Sequence, residues 1–246
     1  MSIQIQVLLS FIKRIICRWN WGRLVDVKYK SIVAKYQKRR AIKRLQLNGK
    51  ECLEKVNGLL SELKVDYYCE YGTLLGLIRE KGLIKYDDDL DFGLPPGKDI
   101  SLEMYKALKE SGFIFKRAFV WRGIITEIAF SYKSIPVDFF FTFYDENACV
   151  YGQCYNDFVV EDSKDVAKQV TRVYKPSYCG VAEISVMGID VKIPVNYEEF
   201  LVADYGKGWR TPIKDFKADG SELRREQFDD SALIVLEESE LIKRIS

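Results

Sequence analysis

The sequence predicts an α+β fold: a mixed β-sheet with flanking helices, preceded by a basic helical extension. Three observations carry that expectation. Apolar residues recur at helical spacing through the first sixty positions and in short later segments. Between Phe113 and Ile193 the pattern changes to runs of strand length rich in β-branched and aromatic residues. Charge divides sharply along the chain: residues 1–50 hold 13 Lys/Arg against one acidic residue, Asp26, while residues 51–246 carry a net charge of −10. The expected division is therefore a basic extension over residues 1–50 and a catalytic body over residues 51–246.

In chain order, residues 3–19 place Ile5, Leu8, Leu9, Ile12, Ile15, Ile16 and Trp19 on one helical stripe beside Lys13, Arg14 and Arg18. The apolar run is too short to span a bilayer, which takes about 20 residues. Its charges follow the apolar stretch and no small-residue cleavage site appears, which argues against a signal peptide. An interfacial helix on an anionic membrane surface is expected, with a packed helix as the alternative. Val25–Arg44 continues helical and basic. The acidic body and the lack of an aromatic stacking motif make nucleic acid an unlikely partner.

Residues 51–64 read as a second helix feeding a strand at Tyr67–Tyr71. Gly72 and Thr73 open the next helix, which ends near Lys81-Gly82. Leu90–Leu94 is a strand stopped by Pro95-Pro96-Gly97, and Asp99–Ser111 is a helix stopped by Gly112. Strands are expected at Phe113–Val120, Ile124–Ser131, Ile135–Tyr144, Ala148–Tyr155 and Ala182–Ile193. Short helices follow at Asn196–Asp204 and Ser231–Lys243.

The chain has 246 residues, 48% of them hydrophobic and 30% charged, enough for one substantial core. Its six cysteines show no CxxC spacing, and several lie in apolar runs, as buried free thiols in a reducing compartment do. There is no histidine. That excludes His-based triads, a His general base and His-ligated zinc, and leaves carboxylates, a cation, Lys, Arg and Tyr for any chemistry.

The stretch from Tyr71 to Gly93, YGTLLGLIREKGLIKYDDDLDFG, concentrates that chemistry. A Gly-Thr turn at a helix start offers backbone N–H groups to phosphate. On a strand, Asp89 and Asp91 share a face while Leu90 and Phe92 point to the core. Asp87 joins that face if the strand starts early, and Asp88 faces away. Carboxylates this close repel one another unless a cation lies among them. A third ligand is expected from Asp138 in IPVDFFFTF, a carboxylate among apolar neighbours that is costly to bury unpaired.

These motifs resemble the LicD family, which transfers phosphocholine and related phospho-alcohols and includes the fukutin-type proteins. A second stretch, IPVNYEEFLVADYGKGWRTP (Ile193–Pro212), resembles another block of that family, so the likeness runs over about residues 65–212. It implies a nucleotidyltransferase-like mixed β-sheet with flanking helices. It also implies that Gly72 and Thr73 lie at the nucleotide phosphates, that Asp89, Asp91 and Asp138 hold Mg²⁺ (or Mn²⁺) with Asp87 as a further acidic position, and that Arg79 neutralises the transferring phosphate. Arg210 is expected as a second phosphate or acceptor contact. The chain departs from the family in having Glu80 after Arg79, where His is frequent, and Tyr86 where Trp is frequent.

The expected activity is transfer of a phospho-alcohol such as phosphocholine from a nucleotide-diphosphate donor, CDP-linked in the family, to a hydroxyl of a glycan that is lipid-linked in one version of this reading. Alternatives are a nucleotidyltransferase acting on a small molecule or protein, and a non-catalytic scaffold at the membrane. The expected location is the cytoplasmic face of the membrane, with residues 1–48 on the anionic surface.

Overall fold

The computed structural model describes residues 22–144, 150–155, 170–213, 225–228 and 233–246. The expected interfacial helix at residues 3–19 lies outside them. Helix α1 (Gly22–Glu62) leads into β1 (Tyr68–Cys69), α2 (Tyr71–Leu75) and a π-turn over Gly76–Glu80. Next come β2 (Leu90–Leu94), α3 (Leu102–Glu110), β3 (Ile114–Trp121), β4 (Ile124–Tyr132), β5 (Ile135–Phe141) and β6 (Phe143–Tyr144). Strands β7 (Val150–Tyr155), β8 (Val170–Lys175), β9 (Val181–Val186) and β10 (Ile189–Pro194) precede α4 (Tyr197–Tyr205). The chain closes with β11 (Arg225–Phe228), β12 (Leu233–Leu236) and α5 (Glu238–Ile245).

The central sheet has six strands in the order β1-β2-β5-β4-β3-β12. It is mixed, as expected: β2 and β5 run parallel, and the other pairs run antiparallel. A hairpin of β9 and β10 and a four-stranded sheet β11-β8-β7-β6 complete the β structure. Alternation along β5 buries Ile135, Val137, Phe139 and Phe141 and turns Asp138 and Phe140 to the other face. Phe139 stacks on Phe92 of β2 with ring centroids 5.4 Å apart. The two strands that carry carboxylates are thus fastened through their apolar faces, and the aromatic run around Asp138 has a core role.

The largest departure from expectation is α1. One continuous 41-residue helix replaces the two helices expected at Val25–Arg44 and 51–64. The boundary expected at residue 50 falls inside it. The charge division falls near Asn48-Gly49, yet the helix continues there and the glycine serves packing: a Cβ on Gly49 would run into the Leu83 side chain and stand 3.0 Å from Leu45 Cδ1. Leu45, Cys52, Val56 and Leu60 form the buried stripe of this helix. It packs against β5, β10 and α3.

Two smaller differences have local causes. The strand expected over Ala182–Ile193 is a hairpin, turned by Met187 and Gly188, both at positive φ. The helix expected from Ser231 starts only at Glu238, because the apolar run Leu233–Leu236 pairs instead with the free edge of β3. Among the described residues no helix is long and apolar enough to cross a membrane.

Candidate functional site

Three segments converge at one end of the parallel pair. Asp91 of β2 lies directly opposite Asp138 of β5 in register, so both carboxylates project from the same face. Asp89 enters from the loop just before β2. One oxygen from each of Asp89, Asp91 and Asp138 lies within 4.8 Å of the others, and Asp87, Asp88 and Asp89 form a second such group that shares Asp89. The structure therefore brings all four expected carboxylates together.

Backbone clamps hold Asp91 in place. Its N–H donates to the Thr73 hydroxyl at 2.9 Å, and its carbonyl accepts from the Glu70 N–H at 3.0 Å. Thr73 is buried. The hydroxyl expected at a nucleotide phosphate thus has a first task of tying the helix start to β2. Gly72 supports the same docking, since a Cβ there would collide with Asp87 Oδ2.

Beneath this turn lies a buried charge cluster that sequence reading did not find. Lys175 Nζ sits 2.7 Å from Glu70 Oε1 and 3.5 Å from Asp204 Oδ1, with all three side chains essentially inaccessible. The same ammonium lies 3.7 Å from the centre of the Tyr71 ring, which also packs edge-on against Phe140. Tyr71 has φ of 44°, an uncommon backbone state for a bulky residue, held by these contacts. The residues come from three distant segments, so no local pattern signals the cluster.

The electrostatics are those of carboxylates with too little positive charge. Burial pushes Asp87 up to about 7, with Asp89 adding to it. Burial and Asp88 raise Asp89, and burial with the surrounding acids carries Asp91 well above the carboxylate range. Asp138 reaches about 8 through burial and the nearby Glu127, which Arg117 holds at 3.0 Å. A divalent cation relieves all of these costs at once, and three carboxylates within 4.8 Å match the hard oxygen set that Mg²⁺ or Mn²⁺ prefers. The residues present fit such an ion.

Beside the acidic cluster opens a cavity of about 730 Å³. Gly72, Leu75, Arg79, Ile84, Tyr86 and Asp87 form one wall; Tyr205, Trp209, Thr211, Pro212 and Ile213 form another; Lys38 and Ile42 of α1 complete it. Arg79 stands on the π-turn, a deformation frequent at functional sites. Its Nη1 donates to the Trp209 carbonyl at 3.1 Å and its Nε to Glu80 at 2.9 Å, which holds the guanidinium at the cavity. Burial and the nearby acids hold the Tyr205 phenol well above its usual pKa.

Arg210, unlike the expected carboxylates and Arg79, belongs neither to the acidic cluster nor to the cavity lining. Its side chain is largely exposed, pairs with Glu198, stacks over the Trp209 ring at 4.3 Å, and does not line the cavity. The backbone turn directs its neighbours Trp209 and Thr211 inward instead. Lys38 is the converse: it lines the cavity although its basic run reads as part of the extension.

A mixed sheet thus presents clustered carboxylates that fit a divalent cation beside a cavity with a fixed arginine, the arrangement of a nucleotidyltransferase-like domain. The chain belongs to the family described as LicD/FKTN/FKRP, nucleotidyltransferase domain, whose model matches residues 64–196. Similar proteins include the mouse "Ribitol-5-phosphate transferase FKTN", 27% identical over 167 residues, 68% of this chain and 34% of that protein. The mouse "Ribitol 5-phosphate transferase FKRP" is 24% identical over 164 residues, 65% of this chain and 31% of that protein. The chain thus spans about a third of the length of these relatives. A solved structure of the lincosamide antibiotic adenylyltransferase LnuA, lincomycin-bound, aligns with a TM-score of 0.37 at 9% identity, covering 59% of this chain and 80% of that one.

Proposed function

We propose that this chain is a Mg²⁺- or Mn²⁺-dependent transferase that moves a phospho-alcohol from a nucleotide-diphosphate donor to a glycan hydroxyl. The observation that carries the reading is the in-register pair Asp91 and Asp138, joined by Asp89 and linked through Asp87 to the cavity that Arg79 lines. The relatives named as ribitol-5-phosphate transferases support the transferred group being a phosphorylated polyol or similar alcohol.

In this reading Asp89, Asp91 and Asp138 hold the cation, with Asp87 at the edge of the group. Bound there, the cation supplies charge neutralisation for a diphosphate and its leaving group. Gly72 lines the cavity where the phosphates would lie, and Arg79 offsets charge that builds on the transferring phosphoryl group. The acceptor hydroxyl oxygen forms a bond to the phosphorus bearing the alcohol. The bond from that phosphorus to the bridging oxygen breaks, and the nucleoside monophosphate leaves. Asp138, less buried than Asp91, takes the hydroxyl proton.

A lipid-linked glycan at the cytoplasmic membrane face is the acceptor setting we infer. It rests on the charge of residues 1–50 and the apolar stripe of residues 3–19.

The test is to incubate the full chain with CDP-ribitol, CDP-glycerol or CDP-choline, Mg²⁺ and a glycan mixture, following phosphorus by NMR. Release of CMP that requires Mg²⁺ and is lost in Asp91→Asn is the expected result. A product retaining the nucleoside monophosphate would establish nucleotidyl transfer instead, and an inert protein would overturn the enzymatic reading.

A further inference from the structure

We propose that Lys38 is a substrate-phosphate contact, so that α1, outside the family-matched segment, supplies part of the binding site. The inference rests on the transferase reading above and goes beyond it, because the family match begins only at residue 64.

Three observations point the same way. Lys38 and Ile42, one helical turn apart on α1, line the same cavity as Arg79 and Gly72. Two cations from separate elements thus face one space beside the acidic cluster. Lys38 pairs with Asp88 at 3.8 Å, with 63% of the lysine side chain and 33% of the aspartate exposed. Such a long, solvated pair contributes little, so it does not explain the position of the lysine. Finally, α1 is held at this site: Gln46 Nε2 donates to the Ile84 carbonyl at 3.0 Å, and Leu45 is in the core.

The ligand chemistry follows from the lining. Lys38 and Arg79 are donors suited to phosphate oxygens, while Ile42, Leu75 and Tyr86 suit a planar, partly apolar body. Together they match a nucleoside diphosphate, with Lys38 reading phosphate rather than base.

The test uses the full chain with Mg²⁺ and measures calorimetric affinity for CDP, UDP, ADP and GDP, and for inorganic pyrophosphate and the nucleosides. For the tightest nucleoside diphosphate, Lys38→Ala should weaken binding by on the order of tenfold, the size of one charge-assisted contact. Pyrophosphate should weaken in parallel and the free nucleoside should not. Lys38→Arg should restore most of the affinity, and Lys43→Ala, an exposed change on the same helix, should leave it unchanged. Unchanged diphosphate affinity in Lys38→Ala, alongside a loss in Arg79→Ala, would overturn the role of Lys38 alone. Equal weakening of nucleoside and diphosphate would assign Lys38 a packing role and also overturn it. If none of the four nucleotides binds the wild-type chain, the nucleotide reading itself fails.

Discussion

The carboxylate of Asp87 occupies the space that a side chain on residue 72 would need. The smallness of Gly72 therefore serves two neighbours, the acidic group below it and the cavity it lines. Gly72→Ala forces Asp87, and with it the loop into β2, to shift. The expected outcome is a loss of turnover of at least tenfold with a stability loss of about 1–3 kcal/mol, the usual cost of one extra methyl in a packed site. Urea denaturation and CMP release measured on the same preparation check it. Full activity in the alanine variant would show that the fit of Asp87 against Gly72 is irrelevant to the chemistry.

Asp91 and Asp138 face each other across parallel strands, and each is costly to ionise without a cation. Asp91→Asn and Asp138→Asn remove one of the clustered charges while keeping the shape. Both should abolish Mg²⁺-dependent transfer, and in chelator both should leave stability equal to or above wild type. Activity above a tenth of wild type in both variants would remove these residues from the metal site.

The raised carboxyls set a pH dependence with a definite sign. The folded cation-free protein keeps protons on Asp87 and Asp138 that the unfolded chain, at the ordinary value of 3.8, has already released. That contribution is fully present below 3.8 and is lost as pH rises through about 7 for Asp87 and about 8 for Asp138. In chelator the urea midpoint should therefore fall from about pH 5 to about pH 8.5, at up to about 1.4 kcal/mol per pH unit for each group that titrates. Millimolar Mg²⁺ should flatten or reverse the slope, because it favours the ionised carboxylates. A flat chelator profile would mean that the acids are better solvated than their positions indicate.

How much of this was legible in the sequence depended on the range of the signal. Leu90–Leu94 and the facing of Asp138 follow from a period of two over a few residues, so the strands and carboxylates could be placed from local pattern. Gly49 carried an ambiguous signal, since a helix-stopping glycine and one that admits Leu83 look the same without the partner. Arg210 and Lys38 were exchanged in effect: both are basic residues in helpful company, and only the tertiary path of α1 and of the turn after α4 decides which one reaches the cavity. Glu70, Lys175 and Asp204 meet only in the folded chain.

The N-terminal region calls for two separate truncations, because α1 joins what the charge pattern divides. Removing residues 1–48 takes away Leu45, which is in the core, together with Lys38 and Ile42 from the cavity and the Gln46 tie to Ile84. Deleting a buried leucine alone costs about 2–5 kcal/mol, a large part of the stability of an ordinary domain. The shorter chain should therefore be unfolded or aggregated by circular dichroism and gel filtration. Removing only residues 1–21 keeps all of those contacts. That variant should keep its fold and its nucleotide affinity while losing the stripe from Ile5 to Trp19 and three of the basic residues, Lys13, Arg14 and Arg18. Each basic residue near an anionic surface contributes about 1 kcal/mol of attraction, so liposome binding should fall by roughly a hundredfold or more and become weak at physiological salt. Cosedimentation with vesicles containing anionic lipid, across a salt series, reads this directly. Equal vesicle binding by the full chain and the 22–246 variant would refute the membrane role of residues 3–19, and a well-folded 49–246 variant would restore the boundary expected at residue 50.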